Sequence, residues 1–258
     1  MSLNQKSIKA LESLKSHPWK TDKYISNKRS AVLVALLPNS EGDLEVILTV
    51  RSSTLSTHAG DTAFPGGKCD PIDIDTTATA KREAFEEIRL PPSASKILTL
   101  LEPTLSRYMQ VVTPVVAFCP GMTTADISSL YPNPGEVTAI FTEPLESFIS
   151  PRKGEHHWSD ISWGVSEVRM HRFDRCGSKN FLLGKDDENT GNYVDGSSLD
   201  RSKVGWSVWG MTAGVLIHVA KIAYQREPDF EMYAPNQMRD SAQVVEWYNQ
   251  TYGLRSNI

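Results

Sequence analysis

The pattern of apolar and polar positions predicts a β-hairpin early in the chain. Residues 31–38 (AVLVALLP) and 44–51 (LEVILTVR) are rich in leucine and β-branched residues, and the turn-forming cluster NSEGD separates them. Two such runs on either side of a short polar turn favour antiparallel strands. A short strand that ends in a Pro-Gly-Gly turn is expected within 56–68. Further strands are expected at 95–103, at 109–120, at the start of 138–149 and at 166–174.

Three segments have apolar residues at the spacing of a helix. In residues 4–16 these positions are Ile8, Leu11 and Leu14. A second helix is expected to run to about residue 89 and to begin at Asp75 or Thr76, either of which can cap it. The third helix is expected at 208–227, where one side is formed by Ala213, Leu216, Val219 or Ala220, and Ala223. Strands before and after a central helix indicate an α/β (α+β) fold in which helices cover a mixed sheet.

Length and composition favour one globular domain with additional elements. The chain has 258 residues, of which 40% are hydrophobic and 22% are charged. Its formal net charge of -4 gives no overall basic field, so a nucleic-acid polymer is not an expected partner and an anionic substrate would need a local site. The segment 184–203 is rich in Gly, Ser and Asp and is expected to be an exposed insertion.

The cysteines and the apolar runs bear on the compartment. Cys69, Cys119 and Cys176 are widely spaced and odd in number, which argues against a disulfide framework and a structural zinc site. They are interpreted as buried small hydrophobic residues in a reducing environment. No run of about 18 apolar residues is present and the N-terminus lacks the apolar segment of a signal peptide, so neither a membrane span nor secretion is expected.

The segment AKREAFEEIRL (80–90) carries the candidate chemistry. Glu83, Glu86 and Glu87 are three and four residues apart, so a helix places their carboxylates on one face, where they are expected to converge. Their mutual repulsion favours a divalent cation, and Mg²⁺ prefers such oxygen ligands. A solvated acidic face is the simpler alternative for an isolated segment. The preceding FPGGK argues against it, because a Gly-Gly turn lets backbone approach a ligand or metal closely.

These motifs resemble the signature of the Nudix hydrolase family. Gly67 corresponds to the first signature glycine, and Arg82-Glu83-Ala84-Phe85-Glu86-Glu87-Ile88-Arg89-Leu90 corresponds to its helical part. There are three departures: Asp73 stands where the signature has a glutamate, the spacer to Arg82 is one residue longer, and Arg89 replaces the last glycine. Residues 48–67 (LTVRSSTLSTHAGDTAFPGG) are similar to the upstream motif of the coenzyme A diphosphatase branch, which shares the first two departures. NPGEV (133–137), EPL (143–145) and VWGMTAGVL (208–216) extend the similarity.

The resemblance implies a Nudix-type α/β/α sandwich with a mixed β-sheet, followed by a C-terminal helix and extension. The corresponding boundaries are an N-terminal helix and extension at 1–27, a Nudix hydrolase domain at 28–227 and a C-terminal extension at 228–258. The implied activity is metal-dependent hydrolysis of the diphosphate of coenzyme A, or of its acyl or oxidised derivatives, to adenosine 3',5'-bisphosphate and 4'-phosphopantetheine or its acyl form. Two alternatives are hydrolysis of oxidised dNTPs such as 8-oxo-dGTP, and a Nudix-fold binding module without catalysis.

The resemblance also implies the site residues and the cofactor. Mg²⁺ or Mn²⁺ would be held by the side chains of Glu83, Glu86 and Glu87 and the backbone carbonyl of Gly67, while Arg82 would orient the glutamates. Glu83, Glu86, Glu87 and Arg82 form the catalytic set. The substrate-binding set is Arg51, Ser52, Leu55, His58, Gly60, Phe64, Gly66 and Gly67. A homodimer is compatible with the resemblance.

Several of these roles have structural alternatives. Arg51 is expected to contact a phosphate, or to pair with a surface carboxylate at a strand end. His58 is expected to be a ligand contact or a solvated loop residue, and Glu136 a catalytic base or, with greater weight, a capping or solvated residue. Phe64 is expected in the core. Trp206 and Trp209 are expected to anchor the last helix to the core.

Two features of the chain lie outside the ligand sets. The resemblance implies a peroxisomal location, because many members of that branch are peroxisomal. The chain ends Ser256-Asn257-Ile258, which is not a Ser-Lys-Leu address, so cytoplasmic and mitochondrial locations stay open. Arg89 replaces a glycine that would end the helix in a left-handed conformation. Either the helix ends without this cap or Arg89 accepts the strain, and altered helix termination with intact metal binding is the prediction.

Overall fold

The computed structural model describes residues 3–20, 22–54, 59–176, 180–184 and 205–253. The elements in chain order are α1 (Gln5–Ser16), β1 (Arg29–Pro38), β2 (Leu44–Arg51), β3 (Thr62–Ala63), β4 (Gly66–Lys68), α2 (Thr76–Ile88), β5 (Lys96–Leu100), β6 (Thr104–Leu105), β7 (Val111–Phe118), β8 (Val137–Pro144), β9 (His156–Trp163), β10 (Ser166–Cys176), β11 (Asn180–Leu183), β12 (Trp206–Trp209), α3 (Gly210–Tyr224) and α4 (Ser241–Tyr252). Three short 3-10 helices occur at Pro92–Ala94, Thr124–Ser129 and Leu145–Phe148. None of the described helices is long and apolar enough to cross a membrane.

A mixed sheet forms the centre of the fold. Its strands are ordered β11-β8-β2-β1-β7-β5, while β3, β4 and β6 pair with β2, β1 and β7 respectively. The predicted hairpin is confirmed, since β1 and β2 pair antiparallel with Leu37 opposite Glu45. β1 also pairs parallel with β7 from Arg29 to Leu36. The sheet thus brings the Gly-Gly turn, which forms β4, against the first half of β1.

Helices cover both faces of this sheet. Alternate residues of β1 point to opposite sides, so Val34 and Leu36 join one core with α1 and α3, while Leu33 and Leu37 join a second core with α2. The α2 residues of that second core are Ala80, Ala84 and Ile88. The predicted α/β/α sandwich around a mixed sheet is therefore confirmed. The domain boundaries at 27/28 and 227/228 stay predictions.

The buried face of α1 differs from the prediction by one residue. Ser7, Ala10 and Leu14 are buried, whereas Ile8 is 37% exposed and Leu11 is only partly buried. Each residue turns a helix by about 100°, so the small residues face α3 and displace the larger ones sideways. The predicted helix is present, and of its three apolar positions Leu14 is buried, Leu11 packs against the core and Ile8 is exposed.

The third helix begins later than predicted. Residues 206–209 form β12, which pairs with β10, and α3 runs only from Gly210 to Tyr224. Gly210, at φ 64°, provides the break between strand and helix, and Gln225, at φ 51°, ends the helix in a left-handed conformation. Trp206 stacks on Phe141 at 4.9 Å between ring centroids, but Trp209 is 42% exposed. Trp209 is therefore not the core anchor that was expected, because successive residues of β12 point to opposite sides and the buried one next to it is Val208.

A second sheet and a fourth helix were not predicted. The sheet has the order β12-β10-β9, and only β10 was expected as a strand. Helix α4 lies in the C-terminal extension, where Tyr248 is buried and its hydroxyl donates to Ser26 Oγ at 2.8 Å. Asp240 caps this helix by accepting a hydrogen bond from the Ala242 amide, a signal present in the sequence. The predicted insertion at 184–203 lies outside the described residues except for Gly184.

Candidate active site

Helix α2 and strand β4 form the candidate active site. The Asp75 side chain caps α2 by accepting a hydrogen bond from the Ala78 amide at 2.8 Å, which confirms one of the two predicted caps. Ala80 and Ala84 hold one side of α2 against the sheet. The glutamates of α2 are thereby placed next to the Gly-Gly turn of β4.

Both glycines of this turn are required by close approach. A Cβ atom at Gly67 would lie 2.4 Å from the carboxyl carbon and one oxygen of Glu83, so this carboxylate rests directly against the glycine. A Cβ atom at Gly66 would lie 2.4 Å from the backbone oxygen of Ala31 in β1. Ordinary contacts begin about 1 Å further out. Any side chain at either position would displace the site or the strand.

Glu87 is the buried carboxylate of the site. It is 7% exposed, and its Oε2 accepts a hydrogen bond from the Gly66 amide at 3.2 Å. Arg51 Nη1 lies 4.0 Å from Glu87 Oε1. Burial, helped by the charges of Glu83 and Glu136, raises the pKa of Glu87 to about 8 against the opposing effects of the Gly66 amide and Arg51.

Arg82 links the glutamates to the preceding loop. Its Nε and Nη2 donate to the two oxygens of Asp73, both at 2.9 Å, and its Nη1 donates to Glu83 at 3.0 Å and to Glu86 at 3.2 Å. The Thr79 hydroxyl also donates to Asp73. The hydrogen bonds from Arg82 hold the pKa of Asp73 well below its usual range. Asp73 thus fixes the arginine that holds two of the three glutamates.

Helix α2 is called the box helix here, and Glu83, Glu86 and Glu87 are its box glutamates. Their three carboxylates do not converge on one point as they stand. Glu83 rests on Gly67, Glu87 contacts Gly66, and Glu86 is half-exposed and held by Arg82. Among the described residues, no three His, Cys, Asp or Glu side chains are grouped closely enough to hold a metal ion. Arg82 Nη1 brings Glu83 and Glu86 together, as their shared helical face predicts, while Glu87 lies apart at Gly66, and the metal site stays a prediction.

Glu136 approaches the same region from a different element. The side-chain amide of Asn133 donates to the carboxylate of Glu136 at 3.0 Å, and the backbone amide of Asn133 donates to the backbone carbonyl of Glu87 at 2.8 Å. The Ser52 amide in turn donates to the Glu136 carbonyl at 2.8 Å. Glu136 is exposed, yet its charge raises the pKa of both Glu83 and Glu87. The loop at 131–136 is therefore tied to α2 and to the end of β2.

Arg51 brings the upstream motif to the box helix. It ends β2, and its backbone is fixed by hydrogen bonds from its own amide to the Asp61 carbonyl and from the Gly60 amide to its carbonyl. Its Nε is buried and makes no hydrogen bond within the described part of the chain. The carboxylate that it approaches is the buried Glu87 and not a surface group, and its contact with a phosphate stays a prediction.

The other predicted substrate residues have different positions. Ser52 is buried, with its hydroxyl 2.8 Å from that of Thr54, and Phe64 is buried in the core as expected. Leu55 and His58 lie outside the described residues. Cys119 and Cys176 are buried, but Cys69 is only partly buried because it follows β4 at the edge of the site.

Arg89 ends α2 in the conformation that a glycine would adopt. Its φ and ψ are 58° and 25°, and its amide donates to the Phe85 carbonyl at 3.0 Å. Its guanidinium lies over the Phe85 ring at 5.3 Å from the centroid. The expectation of altered helix termination was therefore wrong, since the stack on Phe85 partly offsets the strain.

Comparison with known proteins agrees with this geometry. The NUDIX domain family matches residues 27–175. The chain is 39% identical over 210 residues to "Nudix hydrolase 15, mitochondrial" of Arabidopsis thaliana, which covers 81% of this chain and 63% of that protein. It is 37% identical to "Nudix hydrolase 22, chloroplastic" of the same plant, over 89% of this chain and 68% of that protein.

A mammalian relative has a more specific name. The chain is 33% identical to "Peroxisomal coenzyme A diphosphatase NUDT7" of Mus musculus, over 81% of this chain and 76% of that protein. The names of the three relatives thus refer to three different organelles. The family match, these relatives and the arrangement of box helix, Gly-Gly turn and sandwich together place the chain in the Nudix hydrolase family.

Proposed function

We propose that the chain is a metal-dependent diphosphatase that hydrolyses coenzyme A or its acyl or oxidised derivatives. The products would be adenosine 3',5'-bisphosphate and 4'-phosphopantetheine or its acyl form. One observation carries the proposal: Arg51, from the upstream motif, lies 4.0 Å from the box glutamate Glu87. The motif that resembles the coenzyme A branch and the helix common to the family therefore meet at one point.

The donor set suits a hard divalent cation. Glu83, Glu86 and Glu87, with the Gly67 carbonyl, would supply the oxygen ligands that Mg²⁺ or Mn²⁺ prefers. When bound, the cation would neutralise the diphosphate and lower the pKa of an attacking water. The cradle at Gly67 supports this assignment, because it brings a carboxylate into contact with bare backbone.

The remaining roles follow from charge and position. Arg51 would bind a phosphate of the substrate, since its planar guanidinium matches phosphate oxygens and its Nε has no hydrogen bond within the described residues. Arg82, held by Asp73, would orient Glu83 and Glu86. A glutamate would accept the proton of the attacking water, and Glu87 and Glu136 are the two that reach this region from different elements.

The test is hydrolysis by the purified full chain with Mg²⁺ or Mn²⁺. Coenzyme A, an acyl derivative and 8-oxo-dGTP are compared, with release of adenosine 3',5'-bisphosphate as the readout for coenzyme A. Glu86→Gln should lower turnover at least about 10²-fold. Glu12→Gln, a matched change on the exposed side of α1, should leave it unchanged.

Each outcome decides between the hypotheses. Turnover of 8-oxo-dGTP without turnover of coenzyme A would favour the nucleotide-sanitising alternative. Nucleotide binding without hydrolysis of any substrate would favour the binding module. Full activity of Glu86→Gln would show that the assigned metal site is wrong.

A further inference from the structure

The two-residue strand β3 connects the two halves of the candidate site. On its N-terminal side, the Asp61 carbonyl accepts a hydrogen bond from the Arg51 amide at 2.9 Å. On its C-terminal side, the Pro65 carbonyl accepts from the Leu33 amide at 2.8 Å, and Gly66 contacts Glu87. A shift of β3 would therefore move both the backbone of Arg51 and the Gly-Gly turn.

Pairing with β2 holds only one side of this strand. Thr49 lies opposite Ala63 and Val50 lies opposite Thr62. Two residue pairs give few ladder hydrogen bonds, and such a short strand needs additional contacts to keep a fixed position. The Thr49 hydroxyl adds one, by donating to the Ala63 carbonyl at 3.1 Å.

Hydrogen bonds from two buried threonines, one on β3 and one on α3, hold the other side of β3. The Thr62 hydroxyl donates to the Ser207 carbonyl in β12 at 2.7 Å, and the Thr212 hydroxyl of α3 donates to the Thr62 carbonyl at 3.3 Å. Thr62 is 5% exposed and Thr212 is 7% exposed, so water has little access to replace either hydroxyl. Loss of one hydroxyl would remove one of the two hydrogen bonds that hold this side of β3.

The anchor of this clamp lies outside the family match at residues 27–175. Ser207 belongs to the second sheet, where its hydroxyl donates to Asp174 at 2.5 Å and accepts from Arg172 at 2.8 Å. Arg172 also donates to Asp174 at 2.7 Å. The second sheet and α3 thus reach the active-site segment through side chains and not through a continuous strand ladder.

We propose that Thr62 and Thr212 are positioning residues that hold β3, and through it Arg51 and the Gly66–Gly67 turn, in the geometry needed for turnover. The segment from β12 to the first turn of α3 then supports the active site by holding β3 in position. The expected effect on turnover rests on the proposed function, whereas the expected effect on the position of β3 does not.

The test replaces each hydroxyl by a methyl group of similar size. In Thr62→Val and Thr212→Val, kcat for coenzyme A should fall about tenfold at a temperature where every variant is folded, as expected for one lost buried hydrogen bond. Thr62→Ser keeps the hydroxyl and should restore kcat to within about threefold of the wild type. Hydrogen exchange of the amides at 60–66 should become about tenfold faster in both valine variants.

Thr99→Val is the matched control. Thr99 is fully buried in β5, and its hydroxyl donates to the His17 carbonyl at 3.0 Å, so it is also a threonine that bridges to a distant segment. This variant should lose a similar amount of thermal stability without changing kcat or exchange at 60–66. Unchanged exchange in Thr62→Val, or an equal fall of kcat in Thr99→Val, would overturn the positioning role.

The two proposals fail in different ways. If the wild type does not hydrolyse coenzyme A, the proposed function is wrong, and exchange at 60–66 still decides whether the clamp holds β3. If the wild type is active but both valine variants keep full kcat, the function stands and the clamp does not serve it.

Discussion

Replacing Gly67 by alanine adds a single methyl group at the centre of the proposed site. The backbone of Gly67 is not in the left-handed region, so alanine can adopt it without strain. The new Cβ atom would meet the Glu83 carboxylate at 2.4 to 2.5 Å. Glu83 must then move and not β4, because a carboxylate at the end of a flexible side chain can shift more easily than the backbone of a paired strand.

The size of the effect follows from this overlap. The carboxylate has to retreat by about 1 Å, and displacement of a catalytic group by this amount costs about 10²-fold in rate. That factor corresponds to about 2.7 kcal/mol of lost transition-state stabilisation. The folded structure should tolerate the change, since Glu83 can rotate towards solvent, so we expect only a small decrease in thermal stability.

The assay is kcat/KM for coenzyme A with Mg²⁺, together with thermal unfolding of the same samples. Gly121→Ala is the matched control, because a Cβ atom there meets no atom within 4 Å and the backbone is also outside the left-handed region. Turnover by Gly67→Ala within about threefold of Gly121→Ala would refute the reasoning, since a displacement of about 1 Å should not be silent. Large loss of stability in Gly67→Ala would show that the methyl group displaces β4 and not Glu83.

Two further predictions concern α2. Burial raises the pKa of Glu87 from 4.5 to about 8, so its contribution to the stability of the metal-free chain is complete below about pH 4.5 and is lost as the pH rises through about 8. Urea unfolding in EDTA should show that Glu87→Gln gains stability over the wild type by a few kcal/mol as the pH rises between these values, at about 1.4 kcal/mol per pKa unit. A stability difference that does not depend on pH would contradict this. Arg89→Gly and Arg89→Ala both lose the stack on Phe85, but only glycine relieves the left-handed strain. The free energy of unfolding should therefore be about 1 kcal/mol higher for the glycine variant than for the alanine variant, and the two should have equal turnover. Equal free energies of unfolding would show that Arg89 is not strained.

Local signals explain what could be predicted from the sequence. The hairpin of β1 and β2 and the caps and periodicity of α2 depend on neighbouring residues, and the structure has them near the expected positions. β9 carries no such signal, because its residues from His157 to Ser162 are all exposed and no apolar alternation results. The start of α3 was misplaced for the opposite reason, since β12 and α3 are both apolar and only Gly210 marks the change.

The side-chain arrangement of the site depends on long-range partners. Helical spacing placed Glu83 and Glu86 on one face correctly. It could not show that Arg82 donates hydrogen bonds to both of these carboxylates and also to Asp73. Thr62 gave no signal at all, because its role depends on Ser207, which is 145 residues away. Pairwise contacts of this kind follow from the packing of whole elements and not from any local pattern.

The departures from the family signature bear on whether the chain has kept a catalytic site. Asp73 is one methylene shorter than glutamate, but the spacer to Arg82 is one residue longer, and the carboxylate still meets Nε and Nη2 at 2.9 Å. Arg89 adopts the left-handed conformation of the glycine that it replaces. With these two residues, Arg82 still contacts Glu83 and Glu86, and α2 still ends on a left-handed residue, at a cost in strain. A binding module released from catalysis would have no need to retain either arrangement, which favours the proposed hydrolase over that alternative.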